Sequence, residues 1–199
     1  MHALDTREIE AHGLTFRVEL FHDEDHGAPW DEEDGHGPVS DWQRVDGWGS
    51  WSSKRAGQRV LCADRGSFRF YDEAEAIRIA RRDGWGLNDE DRAKLAAKLK
   101  REPTAREVTA EAVRLDFERM RAWCNGGWHY VGVVVTLLDI EGDPTHESDA
   151  LWGIESDSDS YIEETAHELA ANIAARYPQP RRLLMRETPA RSTVITIRN

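Results

Sequence analysis

The most hydrophobic run of the chain reads Trp128-His-Tyr-Val-Gly-Val-Val-Val-Thr-Leu-Leu-Asp-Ile140. It is rich in β-branched residues, which pack well on a buried pleated surface, so it predicts a long strand at the centre of a sheet. Alternate residues from Val131 to Leu137 should share one face of that sheet. After the turn-like segment 141–144, the apolar segment 150–154 predicts a short antiparallel neighbour.

Two further strand patterns precede this run. Residues 14–21 alternate apolar and polar side chains with period two, which predicts a half-buried strand. Residues 59–71 predict a β-hairpin with Arg65-Gly66 near its turn. These strands lie on both sides of a long polar loop, residues 22–51, which is rich in His, Trp and acidic residues.

In the rest of the chain, the spacing of apolar residues predicts helices. Residues 72–84 predict a helix capped by Asp72, and a helical segment spans residues 88–124, divided by Pro103. Ser160 and Glu163 have the spacing of a capping box for the last helix.

The order β, ββ, α, α, α, ββ, α predicts an α+β fold: an antiparallel sheet with helices packed on one face. With 199 residues, of which 39% are hydrophobic, the chain can bury a substantial core. We expect a single compact domain over residues 1–180, elaborated by the long acidic loop. Residues 181–199 are predicted to be a C-terminal tail or an edge strand.

The balance of acidic and basic residues disfavours two kinds of binding partner. The 38 acidic residues outnumber the 26 Lys and Arg residues, for a net charge of −12, which disfavours direct binding to nucleic acid or to an anionic membrane. No segment has the ~18 apolar residues of a membrane span, and the first ten residues lack a signal-peptide pattern, so we expect a cytoplasmic protein. Cys62 and Cys124 are expected to be buried, reduced thiols.

The negative charge is concentrated in two blocks. Residues 18–43 contain nine acidic residues and residues 122–175 contain eleven, and neither block contains Lys or Arg. One interpretation is a solvated surface that keeps the protein soluble. The other is a negative face that binds a basic partner.

The candidate site residues lie mostly in the long loop. The acidic residues would form the charged surface, Trp30 would be its apolar anchor, and Asp157 and Asp159 would extend it. Trp123, Trp128 and Trp152, on or beside regular elements, are expected in the core. The predicted partner-binding residues are Asp23, Glu24, Asp25, Trp30, Asp31, Glu32, Glu33, Asp34, Asp157 and Asp159.

The same loop also offers ligands for a divalent metal. Imidazole and carboxylate groups bind such ions, and His22, His26 and His36 lie among acidic residues. Their spacing matches no defined metal motif, and no catalytic nucleophile stands out. We therefore predict no metal, no other cofactor and no catalytic residue, and keep a small metal-dependent enzyme as the alternative.

Several short segments, taken together and in chain order, are similar to segments of other proteins. They are Ala28-Pro-Trp30, Asp34-Gly-His-Gly37, Leu61-Cys-Ala-Asp-Arg-Gly-Ser67, Tyr71-Asp72, Arg81-Arg-Asp-Gly-Trp-Gly86, Val131-Gly-Val-Val-Val-Thr-Leu-Leu-Asp139 and Leu151-Trp-Gly-Ile-Glu155. Together they resemble a family of small uncharacterised proteins encoded by tailed bacteriophages, over about residues 20–170. The resemblance implies a phage accessory role in the host cytoplasm, with no residue roles to transfer.

Charge and resemblance together favour a non-enzymatic inhibitor or adaptor. Its acidic surface would engage a basic, nucleic-acid-binding host protein such as a nuclease or a CRISPR surveillance complex. Dense carboxylates can imitate the closely spaced charges of duplex DNA, so a DNA mimic of the anti-CRISPR or anti-defence type fits this expectation.

Overall fold

A computed structural model describes residues 2–44 and 56–177 of the chain. Within these residues the strands are β1 (Asp5–Ala11), β2 (Leu14–His22), β3 (Gln43–Arg44), β4 (Gln58–Asp64), β5 (Ser67–Asp72), β6 (Tyr130–Leu138) and β7 (Pro144–Glu155). The helices are α1 (Pro29–Glu32), α2 (Glu73–Asp83), α3 (Asp89–Leu99), α4 (Ala105–Cys124) and α5 (Asp159–Arg176). None of these helices is long and apolar enough to cross a membrane.

The predicted central strand is β6, which pairs antiparallel with β2 on one side and β7 on the other. With β1 outside β2, these strands form a four-stranded sheet in the order β1-β2-β6-β7. In the register, Phe16 lies opposite Leu137 and Val18 opposite Val135. Residues directly opposite each other share a face, so these four side chains make one apolar surface, as the sequence predicts.

Helix α5 covers that surface and closes the first core. Alternate residues of β6 are fully or almost fully buried against it, with Val133 and Val135 at 0% exposure. The helix contributes apolar residues at helical spacing, including Ile162, Ala166 and Ile173. The α+β class and the antiparallel sheet with a helix packed on its face are therefore confirmed.

A second core lies under a smaller sheet with the order β3-β5-β4. Helices α2 and α4 pack against each other and against β4. The aromatic residues Tyr71, Trp128 and Tyr130 are buried among them. The hairpin of β4 and β5 is confirmed, although its membership of a separate sheet was not expected.

Three local features differ from the predictions. Strand β1 was not expected; it pairs with β2 through a tight turn at His12 and Gly13, both at positive φ. Strand β7 begins at Pro144 and is longer than residues 150–154. The N-cap of α5 is Ser158, with no side-chain cap hydrogen bond, so the capping box at Ser160 is wrong.

The described part of the predicted long loop, residues 22–44, contains two short regular elements. These are α1 and β3. Residues 45–51 of the predicted loop, and the predicted tail 181–199, lie outside the described residues.

Strand β7 lies at one edge of the larger sheet, and side chains bond to several of its backbone N–H groups. The N–H of Glu147 donates to Thr145 Oγ1 (3.2 Å), and the N–H of Ala150 donates to Asp149 Oδ1 (3.0 Å). The N–H of Gly153 donates to Oδ2 of Asp23, also at 3.0 Å.

Candidate functional site

Asp23 attaches the start of the long loop to the larger sheet. Besides accepting from Gly153, its carboxylate accepts the N–H of His26 at 3.2 Å. Its own N–H donates to the carbonyl of Tyr130 at 2.9 Å. Asp23 is therefore a structural anchor that positions the acidic residues after it.

These contacts shape an acidic cleft between the loop and β7, with a volume of about 620 Å³. No Lys or Arg of the described chain lines it. Its lining consists of His22, Asp23, Glu24, Asp25, His26, Glu32 and Trp152. Among the residues that the structure describes, four carboxylates and no cation line the cleft, which creates a negative potential that favours a cationic group.

Trp152 forms the aromatic wall of the acidic cleft. It was expected in the core, and this prediction is wrong, because 43% of the residue is exposed. Its ring covers Gly132 so closely that a Cβ there would lie 2.3 Å from Trp152 Cε3. One side of the indole is thus supported by the sheet, and the exposed part is available to a ligand.

Two histidines, His22 and His26, line the acidic cleft, and each packs against a different aromatic ring. His22 stacks on His129 with ring centroids 4.9 Å apart, and His26 packs against Tyr130 at 3.8 Å. Burial, and to a lesser extent the nearby His22, lower the pKa of His129. The stacked pair therefore resists double protonation.

The third candidate histidine, His36, belongs to a different cluster centred on Asp116 of α4. Asp116 Oδ1 lies 2.7 Å from His36 Nδ1. Its Oδ2 accepts the Tyr71 hydroxyl at 2.6 Å and the Gly37 N–H at 2.8 Å. The Asp116 side chain is only 8% exposed, so we call this buried group the Asp116 network.

Electrostatics in the Asp116 network favour a protonated imidazole. The hydrogen bond to Asp116 raises the pKa of His36 despite partial burial, and the charge of Glu33 adds to the effect. Burial, with Asp116 nearby, raises the pKa of Tyr71 far above its ordinary value. Tyr71 therefore stays a hydrogen-bond donor at all moderate pH values.

A second cleft, of about 550 Å³, opens beside this network and is lined by His36, Asp116, Trp85, Leu115 and Arg119 among others. A carboxylate that orients an imidazole is also a feature of acid–base catalysts. Among the described residues that line this cleft, none is Ser, Thr or Cys. Because His36 and Gly37 of the long loop both bond to Asp116, the network clamps the loop to α4.

A metal-dependent enzyme, the alternative function, requires several ligand atoms close enough together to bind one ion. Among the described residues, the group of three that meets this requirement is Asp139, Glu141 and Asp143, all exposed in the β6–β7 turn. His22, His26 and His36 are not part of such a group.

The remaining predicted partner-binding residues differ in their surroundings. Glu33 accepts the Tyr130 hydroxyl at 2.8 Å, and Asp157 is ion-paired with Arg119, whose guanidinium also binds Glu155. The residues Asp31, Asp34 and Asp159 are exposed. Some of the predicted partner-binding residues are thus bonded within the protein, and others are exposed. The most exposed acidic part of the set is the loop from Glu24 to Asp34.

Trp30, the predicted anchor, is half-buried. Its ring meets Trp123 edge-to-face with centroids 5.2 Å apart, and the guanidinium of Arg69 lies 5.2 Å from the Trp30 ring centroid. Trp30 packs against the second core, whereas the exposed aromatic ring of the acidic cleft is Trp152.

Gly37 tests how tightly the Asp116 network is packed. A Cβ at this position would lie 2.3 Å from the Tyr71 hydroxyl oxygen, and Tyr71 is fully buried. We expect Gly37→Ala to reduce the free energy of unfolding by about 1–3 kcal/mol, because the clash displaces a hydrogen-bonded ring. Urea denaturation measures this change. Gly86→Ala is the control, since a Cβ there meets open space; equal effects of the two variants would contradict the argument.

Comparison of the chain with protein-family models, with curated proteins and with solved structures finds no match.

Proposed function

We propose that this protein is a non-enzymatic adaptor or inhibitor that binds a basic partner protein through the acidic cleft. The observation that carries the proposal is the lining of that cleft: four carboxylates, an exposed tryptophan and no cation from the described chain. A partner would insert Arg or Lys side chains from an exposed segment.

The chemistry of the cleft matches a guanidinium group particularly well. Carboxylates pair with guanidinium through two parallel hydrogen bonds, and the group also stacks on an indole face. Glu24, Asp25 and Glu32 supply the carboxylates, and Trp152 supplies the ring. Cation–π contact and ion pairing would then act on the same side chain.

Proteins that bind nucleic acid present such Arg and Lys residues on their surfaces, since they must neutralise phosphates. A nucleic-acid-binding target, as expected from the charge pattern and the phage-family resemblance, is compatible with this cleft. Occupying the basic surface of a nuclease or a CRISPR surveillance complex would inhibit it by competition. The partner is defined here by its chemistry, which is that of a basic segment with accessible arginine.

Reversing Glu24, Asp25 and Glu32 to Lys tests the docking site. With a fluorescently labelled oligoarginine peptide as probe, we expect the variant to lose at least about tenfold in affinity. Binding by the unaltered protein should weaken as salt rises, because charges near a surface are screened over ~8 Å at physiological ionic strength. Fluorescence anisotropy at several salt concentrations measures both effects.

A matched variant separates the cleft from net charge. Reversing Glu8, Glu10 and Glu168, which are exposed elsewhere, changes the net charge equally and should leave most of the affinity intact. Trp152→Ala should weaken binding of the oligoarginine peptide without altering net charge. Equal losses in both triple variants would show that oligoarginine responds to overall charge, and the docking site would then be abandoned.

A further inference from the structure

A third cleft, of about 810 Å³, lies where helices α2, α3 and α4 meet, and it shares no described lining residue with the acidic cleft. Each helix contributes one arginine to its lining: Arg81 from the last turn of α2, Arg92 from the start of α3 and Arg106 from the first turn of α4. The described lining contains no Asp or Glu. We call this site the arginine cleft; it concentrates positive charge on a chain whose net charge is −12.

Regular structure holds the arginine cleft in place. Helix α2 ends at Gly84, whose φ of 72° lies in the left-handed region, and the N–H of Trp85 turns back to donate to the carbonyl of Ala80 at 2.9 Å. Helix α4 packs against α2 and also contacts α3. The three arginines are therefore carried by helices that pack on one another.

The three arginines are exposed, and none has an ion-pair partner within residues 2–44 and 56–177. Two acidic neighbours in sequence are engaged by other arginines. Asp83 accepts from Arg82 at 2.6 and 2.8 Å. Glu107 accepts from Arg101 at 2.5 Å and from the N–H of Thr104 at 2.8 Å. The guanidinium groups of the arginine cleft thus keep their N–H donors for a ligand.

We propose that the arginine cleft binds the oligophosphate group of a small ligand, either a free oligophosphate or a nucleoside triphosphate. A guanidinium donates two parallel hydrogen bonds to phosphate oxygens, and a chain of phosphates presents several negative charges in a compact volume. Three guanidinium groups around one cleft match that distribution of charge. The size also fits, since small-molecule pockets usually measure about 300–1,000 Å³.

Trp85 offers a contact that would distinguish the two kinds of ligand. Its side chain lines the arginine cleft, is half-buried and packs against the second core. A supported indole ring can stack on the planar base of a nucleotide, whereas a free oligophosphate has no ring. A long nucleic acid is disfavoured, because it would extend past the cleft and meet the negative charge of the rest of the protein.

Isothermal titration calorimetry of the full chain tests this site, with inorganic tripolyphosphate and ATP as the probes. EDTA in the buffer ensures that the affinity reports contacts with the protein. We expect both probes to bind, and more weakly as salt rises. Arg81→Ala, Arg92→Ala and Arg106→Ala should each reduce the affinity at least about fivefold, and the triple variant should show no measurable binding. Tighter binding of ATP, lost in Trp85→Leu, would identify the nucleotide as the ligand; equal binding would identify the free oligophosphate.

A second triple variant separates the arginine cleft from net charge. Changing the exposed residues Arg44, Arg65 and Arg121 to Ala alters the net charge equally and should leave most of the affinity intact. The variant of the arginine cleft should still bind the oligoarginine peptide, so failure of this site is distinguishable from failure of the acidic cleft. Three results would overturn the proposal: no binding of either probe, equal losses in the two triple variants, or tighter binding of a duplex DNA than of ATP and tripolyphosphate.

Discussion

Val133→Asp should prevent the protein from folding. Val133 is fully buried in the middle of β6, opposite Leu20 on β2 and Leu151 on β7, in the core that α5 covers. An unpaired carboxylate in such a place must either be buried as a charge or take up a proton, and both are costly. We expect a loss of more than about 4 kcal/mol, a large part of the ~5–15 kcal/mol by which domains are usually stable.

Circular dichroism and urea denaturation measure the effect of this substitution. Val134→Asp is the matched control, because Val134 is the next residue of the same strand, points to the other face and is only half-buried. The control should remain folded with a much smaller loss of stability. A folded Val133→Asp protein with near-normal stability would contradict the assignment of this face to the core.

Asp116→Ala should reduce the free energy of unfolding by about 3–5 kcal/mol. The substitution leaves three donors without their acceptor: the His36 imidazole, the Tyr71 hydroxyl and the Gly37 N–H. Removing one partner from a buried hydrogen-bonded charge network usually costs this much, because the remaining polar groups stay desolvated. Glu118→Ala, an exposed carboxylate two positions further along α4, should change stability by less than about 1 kcal/mol.

The Asp116 network should also make stability depend on pH. The pKa of His36 is raised above its ordinary value of 6.5, so the folded state binds the proton more tightly than the unfolded state. The resulting stabilisation is fully present below pH 6.5 and is lost as the pH rises through the folded-state pKa. Urea midpoints measured across this window should fall for the wild-type protein and change much less for Asp116→Ala. A similar slope in both proteins would assign the pH dependence to other groups.

Much of the larger sheet could be predicted because its strands are marked by local pattern. Strand β6 has apolar residues on both faces, and in β2 the apolar residues that face the core alternate with polar residues that do not. Strand β1 carries no such signal, since charged residues occupy much of it. Arg7 on β1 is held by Glu163 of α5 at 2.8 Å, a contact that exists only once the fold has formed.

The Asp116 network could not be predicted for a related reason. Its members lie in the long loop, β5 and α4, and His36 is 80 positions from Asp116. One local signal was present: Asp116 lies four residues after Ala112 and four before Met120, both buried. A carboxylate at that position of an apolar helix stripe implies a buried polar partner, although the partner cannot be named from spacing alone.

The side-chain bonds along β7 affect how this protein behaves at high concentration. An uncovered sheet edge normally offers a row of backbone groups to which strands of other molecules can add, leading to fibrous aggregates. On β7 the N–H groups of Glu147 and Ala150 are already bonded to side chains of the same strand, Thr145 and Asp149. Glu147 also brings negative charge to this strand, so an approaching copy of the same strand meets like charge, while Asp149 is ion-paired with Arg176 at 3.2 Å. A long edge strand is thereby compatible with a protein that stays dispersed in solution.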